Sequence, residues 1–132
     1  DLRLDILSQW RMWRLNIRGN ALFGNSFAWL AYLETAAVTG SFSAYLRMTG
    51  FDVKQWNDRI YSYERNAPGN FSIPAYYGKG ANMSAYVAMK AGGGKTRCRH
   101  HVWIRAEYTL YFKGSARRTS GAGCVIQYKF QF

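Results

Sequence analysis

The sequence predicts an α+β fold, with N-terminal helices over about residues 2–65 packed on a C-terminal antiparallel β-meander of three or more strands. Two observations carry the meander. Across residues 101–113, Val102, Ile104, Ala106, Tyr108, Leu110 and Phe112 fall to one side, and Trp103, Arg105, Glu107, Thr109, Tyr111 and Lys113 to the other. That is the period of two of a strand with one buried face. Residues 124–132 repeat it, with Cys124, Ile126, Tyr128, Phe130 and Phe132 opposed to Val125, Gln127, Lys129 and Gln131. The third observation carries the helices: apolar residues of the first half recur at spacings of three and four.

In chain order, Leu2, Ile6, Trp10, Trp13 and Ile17 form one helical stripe, with Arg3, Arg11, Arg14 and Arg18 away from it and Gly19-Asn20 as a stop. A strand reading competes, because Leu2, Leu4, Ile6 and then Trp13, Leu15, Ile17 also alternate. Residues 21–39 read as a second, mostly buried helix ended by Gly40, residues 42–49 as a short helix, and residues 53–65 as a helix capped by Asp52. The stretch 66–74 holds Pro68 and Pro74, the only prolines, and marks a break. The expected organisation is one domain: a helical half over 1–66, a connection over 67–80 and a sheet half over 81–132. In the sheet half, Met83, Ala85, Val87 and Met89 share a face, and pairing Met89 with Cys98 keeps that face apolar across the next strand. The apolar sets are expected to face the helices, and Trp103 and Arg105 to face solvent. The middle strand is long for one strand, so a bulge is expected near residues 99–103.

At 132 residues and 48% hydrophobic content the chain has material for a folded core. Its 18 Lys and Arg against 7 Asp and Glu give a formal charge of +11, which points to anionic partners such as phosphate polymers, anionic membranes or acidic proteins. The most apolar run, 21–38, contains Gly24, Asn25, Ser26 and Glu34, so no transmembrane segment and no secretory signal is expected. The chain begins with Asp1, as a mature product, a fragment or a trimmed chain would. Cys98 and Cys124 are too few for a disulfide framework and, in a regular hairpin, tens of ångströms apart, so both are expected as free, buried thiols. No metal site and no cofactor is expected.

Gly92-Gly93-Gly94-Lys95-Thr96 imitates a phosphate-binding loop, but Met89 stands where that motif needs glycine and a strand follows instead of a helix, so a hairpin turn is expected. His100 and His101 are adjacent on a strand and point to opposite faces, which excludes a two-histidine acid–base pair; His100 is expected inside and His101 outside. Glu34, alone in an apolar run, is expected as a buried ion-pair partner or an edge-exposed residue, with a raised-pKa general acid as the alternative. Asn70-Phe71-Ser72 and Asn82-Met83-Ser84 fit the glycosylation pattern, a weak signal.

The strongest constellation is basic and aromatic. Trp103 and Arg105 on the sheet, with Lys90, Lys95, Arg97, Arg99, Lys113, Arg117 and Arg118 at its ends, mix cations with flat rings as single-stranded nucleic-acid platforms do. The expected function is therefore a non-enzymatic structural protein bound to nucleic acid, such as a virion coat or assembly subunit, oligomeric through sheet edges and found in a virion or the cytoplasm. The order of helices first and antiparallel sheet last resembles, in architecture alone, the barnase, colicin and messenger-RNA-interferase ribonucleases. That resemblance implies a small ribonuclease with His101, Arg105, Tyr111 and Lys129 as candidate catalytic residues. A membrane-active protein using Trp10 and Trp13 is a further alternative.

Overall fold

The computed structural model describes residues 1–24, 26–92, 98–115 and 119–132. The expectation of N-terminal helices is overturned: the described chain is nearly all strand and holds no α-helix. Seven strands form one antiparallel sheet in the order β1 (Leu2–Trp10), β2 (Trp13–Phe23), β3 (Phe27–Val38), β4 (Phe42–Val53), β7 (Gly78–Gly92), β8 (Arg99–Tyr111) and β9 (Gly121–Gln131). Between β4 and β7 lies segment 54–77, which holds a 3-10 turn at Trp56–Asp58 and a small ribbon of β5 (Ile60–Tyr61) and β6 (Ala75–Tyr76).

The helical stripe was a hairpin seen end to end. Trp10 pairs with Trp13 across a two-residue turn in which Arg11 takes a positive φ of 53°. Reversing the chain over two residues shifts the parity of the alternation, so Leu2, Leu4, Ile6 and Trp10 share a face with Trp13, Leu15 and Ile17. The apolar positions thereby fall at spacings of four and three, which a helix would also show. Residues 21–39 and 42–49 are likewise β2 to β3 and β4; in β4 the apolar Leu46 and Met48 lie on one face and Tyr45, Arg47 and Thr49 on the other.

The meander in the C-terminal half is present but belongs to the larger sheet, and its registers differ from those expected. Met89 pairs with Val102, not Cys98, and Cys124 pairs with Ala106. The pairing through Arg99–Tyr111 runs without a bulge on either side. The sheet edges are β1 and β9, while the strand over 81–90 is internal. Cys98 and Cys124 are free, as expected, but exposed rather than buried. Cys124 opposes a residue eight positions along β8 from Cys98, roughly 27 Å at strand rise.

Over its middle strands one face of this sheet is covered and one is not, and the covered face is the reverse of the expected one. Segment 54–77 folds back over the face carrying Leu30, Tyr32, Phe51 and Val53, and packs Ile60 and Tyr76 against them. Phe51, only 1% exposed, is the centre of this core, with ring centroids 4.9 Å from Tyr76 and 5.9 Å from Tyr111. Gly80 lies beneath it: a Cβ there would stand 3.1 Å from the Phe51 ring and 2.3 Å from the Leu110 carbonyl oxygen. The opposite face, with Leu33, Leu46, Met48, Met83 and Leu110, is open.

Phe51→Ala is expected to cost about 3–5 kcal/mol in chemical denaturation. Gly80→Ala is expected to destabilise as well, because the atom it meets is backbone and cannot rotate away.

Candidate functional site

The two faces sort by chemistry as sharply as by cover. Cross-strand partners share a face, so the registers assign every strand residue. The covered, inner face carries the cations Arg3, Arg14, Arg18, Arg47, Lys90, Arg99, Arg105 and Lys129, and the acids Asp5, Glu34 and Glu107. The middle of the open face carries no charge: its rows read Leu4, Ala31, Ala81 and Leu110, then Ile6, Ile17, Leu33, Met48, Met83 and Tyr108, then Leu15, Leu46, Ala85 and Ala106, with only Ser8 and Thr35 polar.

Both ends of that apolar band are aromatic. Phe23, Phe27, Trp29 and Phe112 lie toward one end, together with the Asp52–Lys79 ion pair at 3.4 Å. Trp10, Trp13, Phe42, Tyr128 and Phe130 lie toward the other. Trp29 lies over Gly50, where a Cβ would touch its ring at 3.5 Å. Most of these rings are exposed.

The inner face is held together by buried charge. Arg47 donates to Glu34 through Nε at 3.0 Å and Nη2 at 2.6 Å, and through Nη1 to the Tyr63 carbonyl at 2.7 Å, so it links β3, β4 and the folded-back segment. Its guanidinium stacks 4.2 Å from the Tyr32 ring centroid. Arg65 of the segment reaches the second Glu34 oxygen at 3.3 Å and stacks on Tyr45 at 4.0 Å. A second node centres on Glu64, 2% exposed, which accepts from the Tyr76 hydroxyl and from Arg105; Arg105 also meets Glu107. Asp58 accepts from Ser26 at 2.7 Å and Asn70 donates to Gln127 at 3.1 Å, tying the segment to two further places. Beside Arg65 a cleft of about 270 Å³ is lined by Gln9, Arg14, Asn16 and Tyr45.

The expected surface platform is not an open one. Trp103 and Arg105 are 9% and 7% exposed, on the inner face and not the outer one. Lys90 and Arg99 are exposed near one end of the sheet and Lys113 at the other. Lys95, Arg97, Arg117 and Arg118, and most of the glycine-rich loop at 92–96, lie outside the described residues. The two histidines are exchanged: His101 is on the inner face, stacked on Trp103 at 5.6 Å, and His100 is on the open face against Tyr128 and Phe130. Of the ribonuclease set, His101 and Lys129 are direct cross-strand partners, but Tyr111 sits ten residues from His101 along β8, roughly 34 Å away. Arg105 between them is engaged by two carboxylates. Of the roles expected for Glu34, the structure shows the buried ion-pair partner and not an edge-exposed residue. Sequence reasoning missed Glu64, Arg47 and Arg65, because residues 53–65 read as a helix and Arg47 as part of another; the one signal was that Arg47 alternates with Tyr45 and Thr49.

Among the described residues no helix is long and apolar enough to cross a membrane, and no group of His, Cys, Asp or Glu could hold a metal ion. No family model, no curated protein and no solved structure matches the chain.

Burial first, and the Glu64 carboxylate second, push the Tyr76 hydroxyl well above the ordinary tyrosine range. The folded state thus holds that proton more tightly than the unfolded chain, so the contribution is complete below about pH 10 and is lost as pH rises beyond it. Glu64→Gln is expected to leave Arg105 with only its more exposed partner, costing about 3 kcal/mol or more. The loss should appear first as protease cleavage within 54–77, with the sheet still folded. Raising the pH past about 10 should open the same sites in the native protein, and Tyr76→Phe should remove that alkaline dependence.

Proposed function

We propose that this sheet is part of the wall of a transmembrane β-barrel, with the open face toward lipid and the charged face toward an aqueous interior that segment 54–77 narrows. One observation carries the reading. A seven-stranded antiparallel meander presents an apolar band free of charge in its middle and bounded by aromatic rows at both ends, while eight cations and three acids occupy its other face. Barrel walls need that division, because outward residues meet hydrocarbon and inward ones meet water.

The dimensions agree. From Asp52 to Phe42 along β4 is ten residues, about 34 Å of strand, and a tilt of about 40° projects this to roughly 26 Å, close to the height of an outer-membrane apolar band. The connections agree in part: at one end the chain reverses over residues 11–12 and 39–41, and at the other 54–77 and 112–120 are longer, while β2 passes to β3 over 24–26. Backbone groups of β2, β3, β4, β7 and β8 are paired on both sides, which hydrocarbon demands. The same demand applies to β1 and β9, so the reading requires these edges to be met in the membrane by each other or by further copies of this chain.

A structural nucleic-acid protein is the second reading, favoured by one feature: exposed Lys90, Arg99 and Lys129 stand beside the His101–Trp103 stack. A labelled single-stranded RNA that shifts on a native gel, steeply weakened by salt, would support it.

The barrel reading is tested by refolding into lipid vesicles. Tryptophan fluorescence should be quenched more by bromine placed near the headgroups than by bromine at the acyl-chain ends, since Trp10, Trp13 and Trp29 lie in the two aromatic rows. Leu33→Arg should cost about 2–4 kcal/mol in that medium, whereas Gln9→Arg on the inner face should stay within about 0.5 kcal/mol. A protein that remains dispersed and compact without detergent, for instance as a dimer joined through its apolar faces, and that ignores vesicles would overturn the reading.

A further inference from the structure

We infer that the passage bounded by this inner face prefers small anions to cations, and that four cations at one of its mouths set the preference. The inference rests on the barrel reading and adds the class of solute. Every inner-face acid is already committed. Asp5 meets Arg3 and Arg18, Glu34 meets Arg47 and Arg65, and Glu64 and Glu107 both meet Arg105. A paired carboxylate presents little field to a passing ion, because its partner cancels it at short range.

The cations left over are Arg14, Lys90, Arg99 and Lys129, none of which forms an ion pair among the described residues. Register places them together along the chain axis of the sheet. Arg14 pairs with Ala36, Lys90 with His101, His101 with Lys129, and Arg99 with Gln131. All four therefore lie toward the end where β1 turns into β2 and β3 into β4. Arg14 also lines the cleft beside Arg65, whose own charge is shared with Glu34. The result is an excess of positive charge along one end of the inner face, on β2, β7, β8 and β9, with no free acid among the described inner-face residues to offset it. Such an excess concentrates anions and repels cations, as the basic rings of anion pores do.

The experiment is the zero-current potential of the full chain, inserted in a planar bilayer between unequal KCl solutions. Chloride preference is expected, fading as ionic strength rises and screening shortens the reach of the four charges. The variant Arg14→Glu/Lys90→Glu/Arg99→Glu/Lys129→Glu should lower the chloride-to-potassium permeability ratio by at least about tenfold at low salt. Its strand content by circular dichroism should match the parent, which separates a changed field from a lost fold; if it does not, the single change Lys129→Glu should still shift the potential toward potassium. Discrete conductance with a potassium preference, or a preference that the substitutions leave untouched, overturns the inference while the barrel stands. No conductance at all overturns both.

Discussion

Side-chain parity across paired strands is the constraint on which the rest of this structure depends. Each residue shares a face with its cross-strand partner, and seven strands in continuous register propagate that choice across the whole sheet. A slip of one residue in any strand would move its arginines onto the apolar band and its leucines into the charged interior. The two-residue turn at Arg11–Met12 and the close approach at Gly80 are the local devices that hold this register.

The folded-back segment depends on the same parity. Glu34 and Arg47 are direct partners on β3 and β4, so they meet on the inner face without any long-range search. Once paired there, they offer Arg65 and the Tyr63 carbonyl of the segment a prepared site. Burying ions costs several kcal/mol each unless their bonding capacity is filled, and in both nodes the buried carboxylate is met by two partners. The segment is thus fastened by groups that tolerate no substitute, which specifies one docked position. Its apolar half, through Ile60 and Tyr76 on Phe51, contributes the unspecific part of the attraction.

The open face has no counterpart of that cover within the described chain. In water its exposed Leu, Ile, Met and Trp side chains would be a large liability. Against hydrocarbon they are the expected lining, and the aromatic rows fall where headgroups would begin. Eight of the 18 Lys and Arg share the face opposite the apolar band, the face that the proposed barrel would turn toward its interior.

Much of this was legible in the residues. The alternations over 101–113 and 124–132 are real strands, Glu34 is a buried ion-pair partner, and the strand reading of Leu2, Leu4, Ile6, Trp13, Leu15 and Ile17 is the one that holds. The helices over 2–65 were not, because short hairpins shift the phase of a two-residue period and leave apolar spacings of three and four. The face assignment failed for a different reason. Alternation shows that two faces differ but not which one meets protein, and an apolar set turns inward only where the surroundings are water. By itself, then, the sequence determined which residues travel together on a face and that the two faces differ in charge. Only the tertiary structure decided which face is covered, since that depends on where segment 54–77 docks. Residues distant in the chain, Glu64 with Arg105 and Arg65 with Glu34, make that docking, and no local pattern encodes them.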